Sequence, residues 1–202
     1  MAHGLLTFDC DQHGDEVEIT ETFSQVQGDI KLNVSAMSIR DSSRSGEEEV
    51  FLHKKGMGVK DEKEGVDGGE IDYGEKLKFE FLDAETGMPV LFRLHSIRLR
   101  MFEPNMGKES GEIYTSKNKL LKKLDKDSRK RFMNVSVYGK DRQESGSWLM
   151  KTNVRVNANF FLDAHKKSPF YVYDLAVERI NLPPQFTSQP PIAAKEIETY
   201  QY

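Results

Sequence analysis

The sequence predicts an all-β protein: a β-sandwich or jelly roll of about eight strands, with one short basic helix and an extended C-terminal arm. Over most of the 202 residues, apolar side chains recur at every second position, which is the period of a half-buried strand. Clusters of Gly, Asp, Asn and Ser separate these stretches, as turns do. Strands do not alternate with helices, which argues against a doubly wound α/β fold. We expect the sandwich to occupy residues 1–180 and the arm residues 181–202.

The alternation is clearest in the first half of the chain, where it predicts strands in "EVEITETF", "DIKLNVSAMSIR", "KLKFEF" and "PVLFRLHSIRLRMF". The positions expected to face the core are Val17, Ile19, Ile30, Leu32, Val34, Leu77, Phe79, Phe81, Ile97, Leu99 and Met101. After Val34 the apolar positions change phase, to Met37 and Ile39. Such a change predicts a bulge, or a strand that passes from one sheet to the other.

The second half supplies further strands in "NVSVYG", "SWLMKTNVRVNANFFLDA" and "PFYVYDLAVERI". Trp148 is the single tryptophan of the chain and has apolar neighbours. An exposed Trp on a sandwich stacks on sugar rings, whereas a Trp among apolar residues is usually part of the core. We prefer the core position for Trp148.

One basic segment departs from the strand pattern. A helix is expected as an insertion at about residues 116–133, with Leu120, Leu121 and Leu124 on one face. Its basic patch comprises Lys119, Lys122, Lys123, Lys126, Arg129, Lys130 and Arg131. Such a patch would suit nucleic acid, an anionic lipid or an acidic neighbour. A solvated helix surface also explains it, and we prefer that interpretation because a charged helix surface is the usual state.

The C-terminal arm contains two Pro-Pro pairs, which favour an extended, polyproline-like conformation. Proline cannot occupy a central strand, so the arm is not expected to belong to the sandwich. Its apolar residues are spaced like anchors along an extended strap. The expected partner-binding residues are Phe186, Ile192, Ile197, Tyr200 and Tyr202.

An acidic, glycine-rich segment, "GMGVKDEKEGVDGGEIDYGEKLKFEF", runs over residues 56–81. Its glycines suit a turn, because glycine adopts positive φ without a steric penalty. Its acids, among them Glu70 and Asp72, could instead donate carboxylate oxygens to Ca²⁺. Their spacing matches no defined calcium loop, so we prefer the turn and expect Ile71 to be its buried anchor.

A second acidic stretch, "DCDQHGD", places Asp9, Asp11 and Asp15 in an arrangement like the start of a calcium loop. Thr20 stands where such a loop has its bidentate Glu. The stretch is therefore expected to be an acidic hairpin. We expect no cofactor, and Ca²⁺ is the alternative for Asp9, Asp11, Asp15, Glu70 and Asp72.

The glycine-rich segment and the strands after it resemble exported bacterial β-sandwich proteins of the PEP-CTERM-associated type. The resemblance covers about residues 56–102. The matching residues are Gly56, Met57, Gly58, Val59, Gly69, Glu70, Ile71, Asp72, Gly74, Glu75, Leu77, Phe79, Phe81 and Phe102. The resemblance implies a non-catalytic sandwich and an exported protein.

Composition and motifs narrow the function classes. The formal net charge of −4 does not favour nucleic acid as a partner. No apolar run is long enough to span a bilayer, and the N-terminal residues lack the pattern of a secretory signal. The single cysteine excludes an internal disulfide. The chain contains no G-x-S-x-G, H-E-x-x-H or P-loop motif, so we do not expect an enzyme.

The resulting hypothesis is a non-catalytic structural or assembly protein, a jelly-roll subunit of a virion coat or a capsid decoration. Its expected partners are other copies of the chain or a particle or shell protein, and its expected location is the virion. The first alternative is an exported carbohydrate- or surface-binding sandwich module, with a glycan as ligand. The second is a glycan-active enzyme, since paired carboxylates can be recognised only in three dimensions.

Overall fold

The computed structural model describes residues 4–10, 17–38, 46–60, 69–100, 110–115, 117, 119–124, 133–134, 148–165 and 169–180. In chain order, their strands are β1 (Leu6–Asp9), β2 (Glu18–Thr20), β3 (Thr22–Gln27), β4 (Ile30–Ser38), β5 (Gly46–Glu48), β6 (Val50–His53), β7 (Gly56–Val59), β8 (Glu75–Asp83), β9 (Leu91–Arg100), β10 (Ser110–Tyr114), β11 (Leu120–Leu124), β12 (Met133–Asn134), β13 (Trp148–Asn157), β14 (Asn159–His165) and β15 (Tyr171–Arg179). No α-helix occurs among the described residues. That part of the chain accordingly holds no helix able to cross a membrane.

The strands form two antiparallel sheets. Sheet one has the order β12-β13-β9-β15-β7-β6-β2, and β1 pairs with β15 beside β7. Sheet two has the order β11-β10-β14-β8-β4-β3, and β5 continues the same edge of β4 as β3. The predicted all-β sandwich is confirmed, although its strands are more numerous and shorter than expected.

The core lies between the two sheets and is rich in phenylalanine. Phe81 of β8 in sheet two contacts two rings of sheet one, Phe8 at 5.8 Å and Phe92 at 4.1 Å between ring centroids. Phe79 stacks on Phe160 at 4.8 Å within sheet two. All five rings are fully buried. Burial of each ring contributes roughly 1.5–3 kcal/mol relative to exposure, so this cluster is a major stabilising contact between the sheets.

Strands β3, β4 and β8 show the predicted alternation most clearly. Ile30, Leu32 and Val34 of β4 are buried, and the intervening residues are half-buried. A two-residue loop joins β3 to β4, and its first residue, Gly28, has φ of 58°. A tight hairpin with Gly at this position has the twist that the flanking strands require. The other buried core positions that confirm the prediction are Leu77, Phe79, Phe81, Ile97 and Leu99.

The predicted change of phase in β4 is wrong. Ala36 is fully buried and Met37 is 36% exposed, so the alternation continues, and β4 pairs with β8 without a register shift from Ile30 to Ser38. Because Ala36 is small, the pattern appeared to move to Met37. The irregularity lies in β9 instead, where Leu94 and Ile97 both face the core and both neighbouring strands shift register.

The predicted helix is wrong over residues 120–124, which form β11 and pair with β10. The Thr115 hydroxyl accepts hydrogen bonds from the N–H groups of Lys117 and Lys119, as a helix cap would. However, the Thr115 N–H donates to the Lys119 carbonyl at 2.9 Å, which closes a hairpin loop. Leu124 reaches the core from a strand rather than from a helix.

Two further differences concern an edge strand and the boundary between two strands. Ile19 is 43% exposed rather than buried, because β2 is a three-residue edge strand at the end of sheet one. The single long strand expected around residues 148–164 is divided at Ala158, whose φ of 67° turns the chain from β13 in sheet one to β14 in sheet two. The predicted arm and the position of Met101 lie outside the described residues.

Candidate functional site

Residues 69–71 of the glycine-rich segment pass over β6 and β7 at very short distance. A Cβ atom on Gly58 would lie 1.8 Å from the carbonyl oxygen of Gly69. A Cβ atom on Gly69 would lie 2.1 Å from the ring of Phe51. Only glycine fits at either position, so these two glycines serve the close passage of one chain segment over another.

Ile71 anchors this crossing, as predicted, and is fully buried. Its N–H donates to the carbonyl of Phe170 at 2.8 Å, and the Phe170 N–H donates back at 3.4 Å. The pair forms an isolated antiparallel bridge. The segment is thereby fixed from both its side chain and its backbone.

The acids that follow are used in a turn. The Glu75 N–H donates to the Asp72 carbonyl at 2.9 Å, and the Asp72 N–H donates to the Glu75 carboxylate at 2.9 Å. Gly74, inside this turn, has φ of 88°. Glu75 is only 4% exposed, so its carboxylate is a structural acceptor. These contacts support the turn interpretation of the segment.

The predicted calcium ligands fall into separate groups. Glu70 accepts a hydrogen bond from the Gly69 N–H at 3.2 Å. Asp9 lies at the end of β1, opposite Asp174 of β15. Within the described ranges, no group of three or more His, Cys, Asp or Glu residues could hold a metal ion. Asp11 and Asp15 lie outside those ranges, so the calcium alternative stays a prediction there.

The outer face of sheet two carries charges that pair across strands. Glu112, Asp163 and Lys76 lie side by side on β10, β14 and β8. The Lys76 ammonium lies 3.7 Å from Asp163 Oδ2 and 5.7 Å from the ring centroid of Tyr114. The Tyr114 hydroxyl donates to Glu112, and this hydrogen bond raises the pKa of Tyr114 to about 12. The carboxylates of Glu112 and Asp163 are cross-strand neighbours, and each contacts another polar group: Glu112 contacts the Tyr114 hydroxyl, and Asp163 contacts the Lys76 ammonium.

The same face presents an aromatic pair. Tyr114 lies directly opposite Phe161 on the neighbouring strand. Both side chains are half-buried, and both alternate with core residues, which directs them away from the core. Such a pair offers apolar ring surface among polar groups.

The outer face of sheet one carries arginines held by aromatic and acidic groups. Arg98 forms an ion pair of 3.1 Å with Asp174, which is 7% exposed. Arg100 stacks on Tyr173 at 3.5 Å and donates to the Lys54 carbonyl at 2.6 Å. The sequence-based prediction overlooked this surface. Its signal was the repeated cation in "FRLHSIRLR" on the outward positions of β9.

A second row on this face centres on Glu178. His95 Nε2 lies 3.1 Å and Arg93 Nε 3.9 Å from its carboxylate. Arg93 is also the direct cross-strand neighbour of Arg155 on β13. All of these groups are at least one-third exposed, so the ion pairs contribute little to stability.

Arg179 joins the ends of the two sheets. Its guanidinium donates to Asp29 and to Asp83, each at 2.7 Å. Hydrogen bonds from the Thr86 backbone, from Arg179 and from the Thr86 hydroxyl hold the pKa of Asp83 well below its usual range. Arg179 belongs to β15 of sheet one, whereas Asp83 ends β8 of sheet two, so the contact acts as a clamp between sheets.

Strand β3 is an edge strand of unusual composition. It is the last strand of sheet two and has the sequence "TFSQVQ". Val26 on it is 56% exposed. Among the described edge strands longer than two residues, it alone has no charged side chain: the others, β1, β2, β5 and β11, carry Asp, Glu or Lys. Natural sheets usually protect free edges with charges, bulges or proline.

The predicted basic and aromatic residues are only partly described. Lys122 and Lys123 lie in β11, and Lys119 precedes it, so these three occupy a strand and its loop instead of a helix face. The chain around Trp148 begins β13. The remaining basic residues and the arm anchors lie outside the described ranges: Lys126, Arg129, Lys130, Arg131, Phe186, Ile192, Ile197, Tyr200 and Tyr202.

Comparison of the chain with known proteins finds no matching family model and no matching curated protein.

Proposed function

We propose that this protein is a non-catalytic structural subunit that assembles with other copies of itself or with a shell protein, as a jelly-roll virion coat or capsid-decoration protein would. The observation that carries the proposal is the uncharged edge of β3, with which no strand other than β4 pairs among the described residues. An edge strand that lacks protective charges is a ready template for another strand. In an assembly protein, such an edge is the expected contact surface.

The surroundings of β3 favour assembly over accidental exposure. The hairpin that contains it is held firmly, because Phe23 packs on the core and the β4 partner strand is buried at alternate positions. The Arg179 clamp fixes Asp29 in the loop of the same hairpin. A rigid edge loses little conformational freedom on association, which favours binding.

The test is sedimentation of the purified full-length chain over a range of concentrations. We expect concentration-dependent self-association. Val26→Lys should shift the protein toward monomer, because it places a charge on the edge while altering an already exposed position. Met88→Lys is the matched control, because Met88 is 64% exposed and lies in the β8–β9 connection.

Two results would contradict the proposal. A wild-type chain that stays monomeric at every soluble concentration, alone and with shell proteins, would exclude an assembly role. Equal effects of Val26→Lys and Met88→Lys on association would show that general surface charge, and not the β3 edge, controls it.

The aromatic pair on sheet two favours a second candidate, a carbohydrate- or surface-binding module. Tyr114 and Phe161 provide ring surface, and Glu112, Asp163 and Lys76 beside them provide hydrogen-bonding groups. Aromatic faces with adjacent polar groups suit sugars, whose rings have apolar faces and polar edges. Glycan-array binding by a monomer that is lost in Phe161→Ala would favour this candidate over assembly.

A further inference from the structure

The hydrogen-bonding pattern of the β3–β4 hairpin determines which edge groups are free. Gln27 pairs with Ile30 across a loop of two residues. In such a hairpin, the residues that flank the loop exchange both backbone hydrogen bonds, and every second residue along the strand does the same. Gln27, Gln25 and Phe23 therefore direct their N–H and C=O groups toward β4.

The other residues of β3 direct their backbone groups away from β4. These are Thr22, Ser24 and Val26, which form a row of outward N–H and C=O groups. The described part of the chain contains no strand that pairs with this side. Among contacts between described residues, the Thr22 carbonyl on this side accepts a hydrogen bond from the Thr20 hydroxyl at 3.1 Å.

We propose that two copies of this chain pair antiparallel through β3 around a two-fold axis at Ser24, which joins their second sheets into one continuous sheet. This inference rests on the proposed assembly function and specifies its contact. With the axis at Ser24, each Ser24 faces its equivalent, and Thr22 faces Val26 of the other copy. Every outward N–H and C=O group of the row then has a partner.

Neighbouring registers satisfy fewer groups. Opposite residues of an antiparallel pair lie on the same face of the sheet, so the axis must pass through a residue rather than between two. An axis at Phe23 would place Val26 opposite Thr20, which belongs to β2 in sheet one. An axis at Gln25 would place Thr22 opposite Gly28 in the hairpin loop. Both registers leave an end of the row unpaired.

Side chains and charges also suit the register at Ser24. The Thr22–Val26 contact joins two β-branched residues, a favourable cross-strand pair. At the ends, Glu21 would face Gln27 and Asp29 would face Ile19, so no like charges meet. Because β3 is uncharged throughout, a strand of identical sequence is a compatible partner for it.

The first experiment tests the register by cysteine cross-linking in the full chain. The single native thiol, Cys10, is fully buried. Ser24→Cys should give a disulfide-linked dimer under mild oxidation, because facing Cα atoms in a hydrogen-bonded pair lie about 5.5 Å apart. Glu85→Cys, on the exposed β8–β9 turn, is the control and should not form a linked dimer.

A mixing experiment separates this register from its neighbours. Thr22→Cys and Val26→Cys proteins should cross-link when mixed, whereas neither should cross-link alone. Cross-linking of Ser24→Cys only with Val26→Cys, or only with Thr22→Cys, would overturn the axis at Ser24.

A charge exchange tests the same axis without covalent chemistry. Ser24→Lys alone and Ser24→Asp alone should each weaken association by about tenfold or more, since like charges would face each other at the axis. A mixture of the two variants should associate again. Circular dichroism should show that each variant remains folded, because Ser24 is exposed and contributes one side-chain hydrogen bond, to Asn33.

The outcomes distinguish the two proposals. Self-association that persists in sedimentation without the predicted cross-links or the charge rescue would overturn the β3 contact and leave the assembly function standing. A wild-type chain that does not associate with itself or with shell proteins would overturn both.

Discussion

Replacement of Gly58 by Ala tests the tight crossing of the glycine-rich segment. The new Cβ atom would lie 1.8 Å from the Gly69 carbonyl oxygen, where ordinary van der Waals contact begins at 3.4 Å. Residues 69–71 would therefore have to move away from β7 by about 1.6 Å. Such a movement would break their two backbone hydrogen bonds to Phe170 and uncover part of Ile71.

The magnitude follows from these contacts. The two backbone hydrogen bonds contribute about 1 kcal/mol each. Full burial of an isoleucine side chain contributes about 1.5–3 kcal/mol, of which a part would be lost. We expect Gly58→Ala to lower the free energy of unfolding by about 2–4 kcal/mol. The assay is urea unfolding followed by circular dichroism, with the midpoint compared at constant m-value.

Substitutions at two other glycines, Gly4 and Gly87, serve as controls for the stability change in Gly58→Ala. Gly4→Ala meets no atom within 4 Å and should change stability little. Gly87 also has open space but a φ of 68°, so Gly87→Ala should cost about 1 kcal/mol from backbone strain alone. If Gly58→Ala were no more destabilising than Gly87→Ala, the close crossing would not be the reason for glycine at this position.

Three further predictions concern the anchor, the clamp and the tyrosine. Ile71→Asp should lower the free energy of unfolding by about 2–4 kcal/mol in urea titrations, because it buries a carboxylate in the core. The pKa of Asp83 is lowered in the folded state by hydrogen bonds from the Thr86 N–H, from Arg179 and from the Thr86 hydroxyl, so these contacts stabilise fully above the unfolded carboxyl pKa of about 3.9 and are lost as pH falls from there through the folded value. Asp83→Asn should therefore flatten the acid side of a plot of melting temperature against pH. In ultraviolet titration, Tyr114 should ionise at about pH 12, and Glu112→Gln should lower that value. Since the folded-state pKa is raised, the stabilising hydrogen bond is complete below about pH 10 and is lost as pH rises through 12.

Each of these has a control. Glu70→Gln keeps an oxygen acceptor for the Gly69 N–H and should leave stability nearly unchanged, in contrast to Ile71→Asp. If added calcium raised the melting temperature and Asp72→Asn removed that rise, the turn interpretation would be wrong. An acid transition unchanged in Asp83→Asn would exclude the contacts of the Asp83 carboxylate with Thr86 and Arg179 as its source. Tyr114→Phe should remove the late phase of the tyrosine titration, and its persistence would assign that phase to another tyrosine.

The sequence by itself determined the class of the fold and most of the core. Strict alternation in Leu77, Phe79 and Phe81 predicted one buried face, because side chains of a strand alternate between its two faces. Local chemistry also predicted Ile71 as an anchor, since it is an apolar residue between two acids, Glu70 and Asp72, in an acidic, glycine-rich turn. These features depend on residues that are close together in the sequence, so they can be recognised from the sequence alone.

Predictions from local sequence patterns were wrong where the same pattern fits two different structures. The leucines around residues 120–124 fit one helix face, and Thr115 fits a helix cap, yet pairing with β10 made this segment a strand. In β4, the small side chain of Ala36 concealed a regular alternation. In the first case, hairpin pairing with β10 outweighed the local helix pattern, and in the second, the small size of a buried residue hid the strand pattern.

Only the tertiary structure decided where distant segments meet. Asp29, Asp83 and Arg179 come together because two hairpin ends of sheet two adjoin the end of β15. Gly58 and Gly69 must lack side chains because one segment crosses over the other. Strand β3 lies at an edge because the order of the described strands places it last in sheet two. Strand order and segment crossing arise from pairing between residues that are distant in the sequence. The alternation within a strand is the same whether that strand lies in the centre or at the edge of a sheet, so alternation does not predict strand order.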